Sequence, residues 1–221
     1  MTRKERYDNI LRWFKENNPN PETELNYTDA YQLIVAVILS AQCTDKRVNL
    51  VTPALFDVFP TVEALAASTP DDIFQYIKSV SYPNNKAKHL HGMANAVVSD
   101  FNGCVPEKQE ELVKLPGVGR KTANVVASVF FDVPAIAVDT HVFRVSRRIG
   151  LVPQTSNTPE KVESGLTKYI PKELWSKAHH WLILHGRYVC LARSPLCAQC
   201  GISEYCLHYS RSKKQLEALE V

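Results

Sequence analysis

Four of the six cysteines fall within 17 consecutive residues, at Cys190, Cys197, Cys200 and Cys206. Gaps of six, two and five residues let four thiolates encircle a tetrahedral ion or an iron–sulfur cubane. A zinc ribbon usually shows two C-x-x-C knuckles and this segment has one, so spacing leans only slightly against zinc. The first residues, Met1 to Arg6, are mostly charged and lack an apolar signal core, so a reducing compartment is expected and a disulfide framework is the weaker reading.

A second candidate is the string Leu115-Pro-Gly-Val-Gly-Arg-Lys-Thr-Ala-Asn124. Gly117 and Gly119 flank Val118, which allows a tight turn and a close backbone approach to a partner. A helix starting near Arg120 offers free N–H groups and a positive dipole end, both suited to a phosphate. Val118 is expected to pack inward and fix the hairpin angle. A bare Gly-Val-Gly corner serves equally as a helix joint without a ligand. Lys121 is then either an exposed phosphate-binding lysine or a nucleophile. The helix dipole and burial against a bound partner both disfavour its charged form, and a neutral amine can form a Schiff base. Asp139, 18 residues on, closes an apolar run before a helical pattern. It is either an N-cap or, facing Lys121 across a pocket, a proton acceptor and charge stabiliser; one carboxylate can do both.

The elements that carry these residues read as helices. Ile10, Leu11 and Phe14 mark an amphipathic first helix ending before Asn18-Pro19. The apolar run Tyr31 to Ser40 is assigned to a buried helix capped by Asp29, and Thr44 or Asp45 opens the next, through Leu55. Thr61 and Thr69-Pro70 give two more starts. Ser81 to Asn85 is expected to be a loop before a helix over Lys86–Asp100, closed by Asn102-Gly103. Pro106 opens a helix over 107–115 that Pro116 stops. Val133–Val138 is the one stretch with strand character, too little for a sheet. Helices over 160–169 and 172–185 complete an all-α chain.

The hairpin string, Ile136-Ala-Val-Asp-Thr-His-Val-Phe-Arg-Val145 and the cysteine spacing together resemble the endonuclease III family. Its members are bifunctional helix–hairpin–helix DNA glycosylases and AP lyases of base excision repair. The resemblance runs from Pro19–Leu25 through Ser40-Ala41-Gln42 to His179–Tyr188. It implies two helical lobes with a DNA cleft between them: 23–134 with the hairpin, and 1–22 plus 135–221 with the four-cysteine segment. It also implies a [4Fe–4S] cluster on Cys190, Cys197, Cys200 and Cys206, more structural and DNA-binding than catalytic. Lys121 becomes the nucleophile at C1′ and Asp139 its assistant. The implied substrates are oxidised or ring-saturated pyrimidines flipped out of damaged double-stranded DNA, with the strand cut by β-elimination. Amides of Gly117, Val118 and Gly119 would hold the DNA backbone.

By the same resemblance Gln42 fills the gap left by the flipped base. Ser81-Tyr82-Pro83 departs from the family's glycine-led wedge loop, and Tyr82 could wedge by stacking instead. His141 is a candidate DNA contact and Asp45 lies at a family position near the site. Arg187, Arg193, Lys213 and Lys214 are a candidate phosphate-binding surface around the cluster. Two rivals stand beside this reading. One is an adenine-mismatch glycosylase, whose members usually lack the lysine and carry an extra C-terminal domain; the other is a non-enzymatic DNA-binding module.

Composition fits such a protein without demanding it. With 221 residues, 45% hydrophobic and 22% charged, the chain has the composition of a folded protein rather than a disordered one. Its net charge of +3 places any DNA contact in local geometry rather than a polybasic arm. No apolar run approaches the roughly 20 residues of a membrane span. A monomer in the cytoplasm, nucleoid-associated in a bacterium, is expected.

Overall fold

In the computed structural model, residues 1–217 are described, with side chains as far as Ser212. Among the described residues every regular element is helical. The chain divides into two compact units, Thr23–Val133 and Met1–Glu22 with Pro134–Val221.

The Thr23–Val133 unit is built on α2 (Ala30–Ser40), whose residues Leu33 to Leu39 are all buried. Asp29 starts it, its Oδ1 accepting the Gln32 N–H at 2.8 Å. Round α2 lie α3 (Asp45–Val58), α6 (Pro83–Phe101) and α8 (Arg120–Phe130). The short α4 (Val62–Ala66) and α5 (Pro70–Ile77) pack on α6. Threonine caps them in turn: Thr44 rather than Asp45 opens α3, and Thr61 and Thr69 open α4 and α5. Each cap satisfies an otherwise orphaned N–H at the first turn.

Several boundaries differ from the sequence expectation; the helices expected over 160–169 and 172–185 run over Pro159–Thr167 and Trp175–Tyr188. The sixth helix begins at Pro83, three residues before Lys86, because proline's missing N–H costs nothing in a first helical turn. Tyr82 takes a left-handed φ of 53° to lead into it. The helix expected over 107–115 shrinks to α7 (Gln109–Leu112), and Pro106 does not open it. Leu112 and Leu115 are both buried, and the chain turns between them to seat both side chains.

The other unit joins α1 (Arg3–Asn17) to α9 (Thr140–Ile149), α10 (Pro159–Thr167), α11 (Trp175–Tyr188) and α12 (Leu207–Glu217). Its core is Tyr7, Ile10, Phe14, Val142, Val145, Ile149, Val162 and Trp181. The Trp181 indole N–H donates to Asn18 O at 2.6 Å, and Arg6 donates to Tyr205 O at 2.9 Å. Those bonds tie the first helix to the C-terminal part of the chain, spanning 163 and 199 residues of sequence. The segment 133–138 forms no strand; Val133 N–H closes back on Ala127 O, and Ala137 O is held by His179.

Candidate functional site

The hairpin joins α7 to α8. Val118 is buried and its N–H donates to Leu115 O at 3.0 Å, which closes the turn on itself. Gly117 sits at φ +78°, and a Cβ there would lie 2.7 Å from His89 Cβ of α6. Both facts require glycine. Gly119 is different: its φ is −84° and an added Cβ would meet nothing within 4 Å. The protein itself does not need that position bare. No side chain caps α8, in contrast to α2, α3, α4, α5 and α9. Its first N–H groups therefore point at whatever lies beyond the hairpin. Lys121, the second residue of α8, is exposed and forms no ion pair among the described residues.

Asp139 belongs to the other unit. It is the N-cap of α9, half-buried, with Oδ1 accepting the Val142 N–H at 2.7 Å. The capping reading is therefore correct, and the cap uses one of the two carboxylate oxygens. A residue the sequence reading gave no role, His179 of α11, donates from Nδ1 to Ala137 O at 2.8 Å and so fixes the backbone two residues ahead of Asp139. Nothing in its spacing marks it, because the bond spans 42 residues. His141 is half-buried, its Nδ1 3.3 Å from Arg144 Nη2, and it lies close against Gly186 of α11.

The four cysteines converge. Cys190 follows α11, Cys197 and Cys200 lie in the loop, and Cys206 precedes α12; all four line one pocket with Ile149, Val189 and Leu196. Burial pushes the Cys200 thiol up to about 11 and the Cys206 thiol upward as well. Free thiolates here would be costly, and bound cations would remove that cost. The pocket is already arranged for anionic sulfur. Ile202 N–H donates to the Cys200 sulfur, and His208 and Tyr209 N–H at the start of α12 donate to that of Cys206. Arg148 Nη1 lies 3.6 Å from Cys190 Sγ and is fixed by Leu191 O at 2.6 Å. Among the described residues no three His, Cys, Asp or Glu side chains gather closely enough for a single metal ion. Four cysteine sulfurs lining one pocket, with amide and arginine donors around them, can hold a multi-iron cluster, which brings its own sulfide. The loop is locked on α1, since a Cβ on Gly201 would collide with the Trp13 ring.

Gln42 lies exposed in the turn after α2 with φ 53°, and Tyr82 is 62% exposed with φ 53°. Arg193 is exposed near the cysteines and Arg187 half-buried; the side chains of Lys213 and Lys214 lie outside the described residues.

A tight hairpin feeding an uncapped helix, with a capped acidic turn and a four-cysteine pocket, marks a class, and comparison with known proteins agrees. Residues 35–172 match the model for the HhH-GPD superfamily base excision DNA repair protein. Residues 190–206 match the iron-sulfur binding domain of endonuclease III. Among curated relatives, endonuclease III of Rickettsia felis is 49% identical over 91% of this chain and 93% of its own length. That of Escherichia coli is 45% identical over 89% and 92%. A solved structure of a trapped endonuclease III–DNA covalent intermediate, an estranged-adenine complex, superposes with a TM-score of 0.90 at 42% identity, covering 96% of this chain and 100% of that one. The chain belongs to the endonuclease III family, DNA glycosylases with AP lyase activity that carry an iron–sulfur cluster.

Proposed function

We propose that this chain removes oxidised or ring-saturated pyrimidines from duplex DNA and then cuts the abasic strand, with Lys121 as nucleophile. The observation that carries this is the setting of Lys121: exposed, unpaired among the described residues, one residue inside an uncapped helix that follows a glycine hairpin. Hairpin amides and the start of α8 hold a DNA phosphate without reading sequence, as suits an enzyme that scans for damage. The damaged nucleotide is everted from the stack. Gln42 fills the space it leaves and Tyr82 wedges beside it.

The neutral amine of Lys121 attacks C1′, the bond from C1′ to the base breaks, and the base leaves with the electron pair. Asp139 takes a proton from the amine or stabilises positive charge on the sugar, using the oxygen that does not cap α9. The C1′–O4′ bond of the ring then opens, O4′ takes a proton, and the iminium so formed acidifies the C2′ hydrogen. Its removal expels the 3′ phosphate, and water then releases the lysine. Cys190, Cys197, Cys200 and Cys206 hold a [4Fe–4S] cluster, which ties the end of α11 to the start of α12 and takes no electrons from the reaction. Arg193 and Arg187 make this end a second phosphate-binding surface. The protein acts as a monomer in the cytoplasm; among the described residues no helix is long and apolar enough to cross a membrane.

Borohydride trapping on duplexes carrying an abasic site or thymine glycol tests the reading. A covalent adduct should form with the native protein and vanish in Lys121→Ala. Duplex binding with no adduct from the native protein would overturn it in favour of a non-catalytic DNA-binding module.

A further inference from the structure

Lys86 is 5% exposed, on the first turns of α6, and no carboxylate pairs with it among the described residues. Its Nζ donates to Leu39 O at 2.8 Å and Ala41 O at 2.7 Å, and lies 3.4 Å from Ser81 Oγ. An ammonium has three N–H donors and all three are directed at oxygen here. Ser81 Oγ in turn donates to Gln42 O at 2.6 Å. A chain of hydrogen bonds therefore runs from the end of α2 through Lys86 and Ser81 to the backbone of Gln42. Tyr82 is the next residue after Ser81, and its carbonyl accepts the Lys86 N–H at 3.1 Å.

The two turns joined this way share an unusual feature. Gln42 and Tyr82 both have φ of 53°, the left-handed conformation, and neither is glycine. Such residues persist only where their surroundings hold them, and both side chains face solvent. A lysine that merely capped α2 would need the two carbonyls and nothing more. The Ser81 to Gln42 bond serves no helix end; it fixes one turn to the other.

We propose that Lys86 and Ser81 form a clamp that presents Gln42 and Tyr82 as one preformed pair for entry into the duplex around an everted nucleotide. Lys86 is a positioning residue, acting through those two side chains. The clamp orders both turns before DNA arrives, so less binding energy is lost to ordering them. This rests on the reading that Gln42 and Tyr82 enter DNA, and the test separates the two claims.

The probe is a duplex with 2-aminopurine opposite a tetrahydrofuran abasic analogue, which the lyase step cannot cleave. Lys86→Met should cut the fluorescence response and the kcat/KM on thymine glycol about tenfold, and Ser81→Ala about threefold. Ser81→Ala should keep the native circular dichroism and thermal midpoint, so it carries the test if Lys86→Met folds poorly. In a Gln42→Ala/Tyr82→Ala background neither substitution should lower the response further. Full response in a folded Lys86→Met variant, or losses that multiply in the double-alanine background, would overturn the clamp. Amide hydrogen exchange reads the clamp without DNA: it should quicken at residues 41–43, 81 and 82 in both variants, and unchanged exchange overturns it. If Gln42→Ala and Tyr82→Ala themselves leave the fluorescence intact while exchange quickens, the DNA-entry reading fails and the clamp stands.

Discussion

Replacing Gly117 or Gly119 by alanine adds one methyl group to the hairpin, with opposite consequences expected at the two positions. At Gly117 the backbone is left-handed, which costs an L residue about 1–2 kcal/mol. The new Cβ would also stand 2.7 Å from His89 Cβ. That atom is fixed to the α6 backbone, so it cannot swing aside, and the forced repacking adds about 1–3 kcal/mol. Gly117→Ala should therefore lose about 2–5 kcal/mol, a large share of an ordinary domain's stability. The thermal midpoint should fall by about 5–15 °C. His89→Ala should give no rescue, because it leaves the offending atom in place. At Gly119 the φ of −84° suits any residue and the added Cβ meets nothing. Stability should change by less than about 1 kcal/mol. The methyl group would stand where a phosphate approaches the α8 amides, so affinity for an abasic duplex should fall about tenfold or more. Urea unfolding followed by circular dichroism and a fluorescence-anisotropy titration measure the two halves. A Gly119→Ala variant that binds as tightly as the native chain would show that the hairpin does not touch DNA.

Asp139→Asn keeps an oxygen for the Val142 N–H and should leave stability within about 0.5 kcal/mol, since asparagine and aspartate cap equally well. Base release should slow about a hundredfold or more; single-turnover rates near native would reduce Asp139 to a cap. Cys206→Ser should abolish the yellow-brown absorbance and the iron and sulfide content, and colourless native protein with stoichiometric zinc would refute the cluster. His180 is buried beside His179, with Arg187 adding repulsion, and its pKa is pushed down to about 4 from 6.5. Between those values an unfolded chain binds a proton that the folded chain refuses. The contribution of His180 should thus be complete above pH 6.5 and decline toward pH 4 at up to about 1.4 kcal/mol per unit. Burial pushes His185 down to about 4 as well, so His180→Gln should remove only its own share of the slope in denaturant titrations at fixed pH.

Helix starts were the most legible feature of the chain, because Asp29, Thr61, Thr69 and Asp139 each satisfy a donor three residues away and need no tertiary partner. The cysteine segment was legible as a ligand set for the same local reason. Its separation from zinc was not, since one C-x-x-C pair with two flanking cysteines suits either ligand. The start of α6 and the brevity of α7 were missed. Tyr82 is held left-handed by a turn tied to Gln42, and the bend after Leu112 is dictated by burying Leu115.

The order of types along the chain was enough to specify helices, caps, a glycine hairpin and four thiolates, because each depends on neighbours within a few residues. Only tertiary packing decided that His89 makes Gly117 obligatory while Gly119 stays open, that His179 fixes the backbone ahead of Asp139, and that a buried Lys86 links two turns 39 residues apart. Hydrogen bonds and van der Waals contacts act over a few ångströms of space, and no local pattern records which distant residues the fold brings that close.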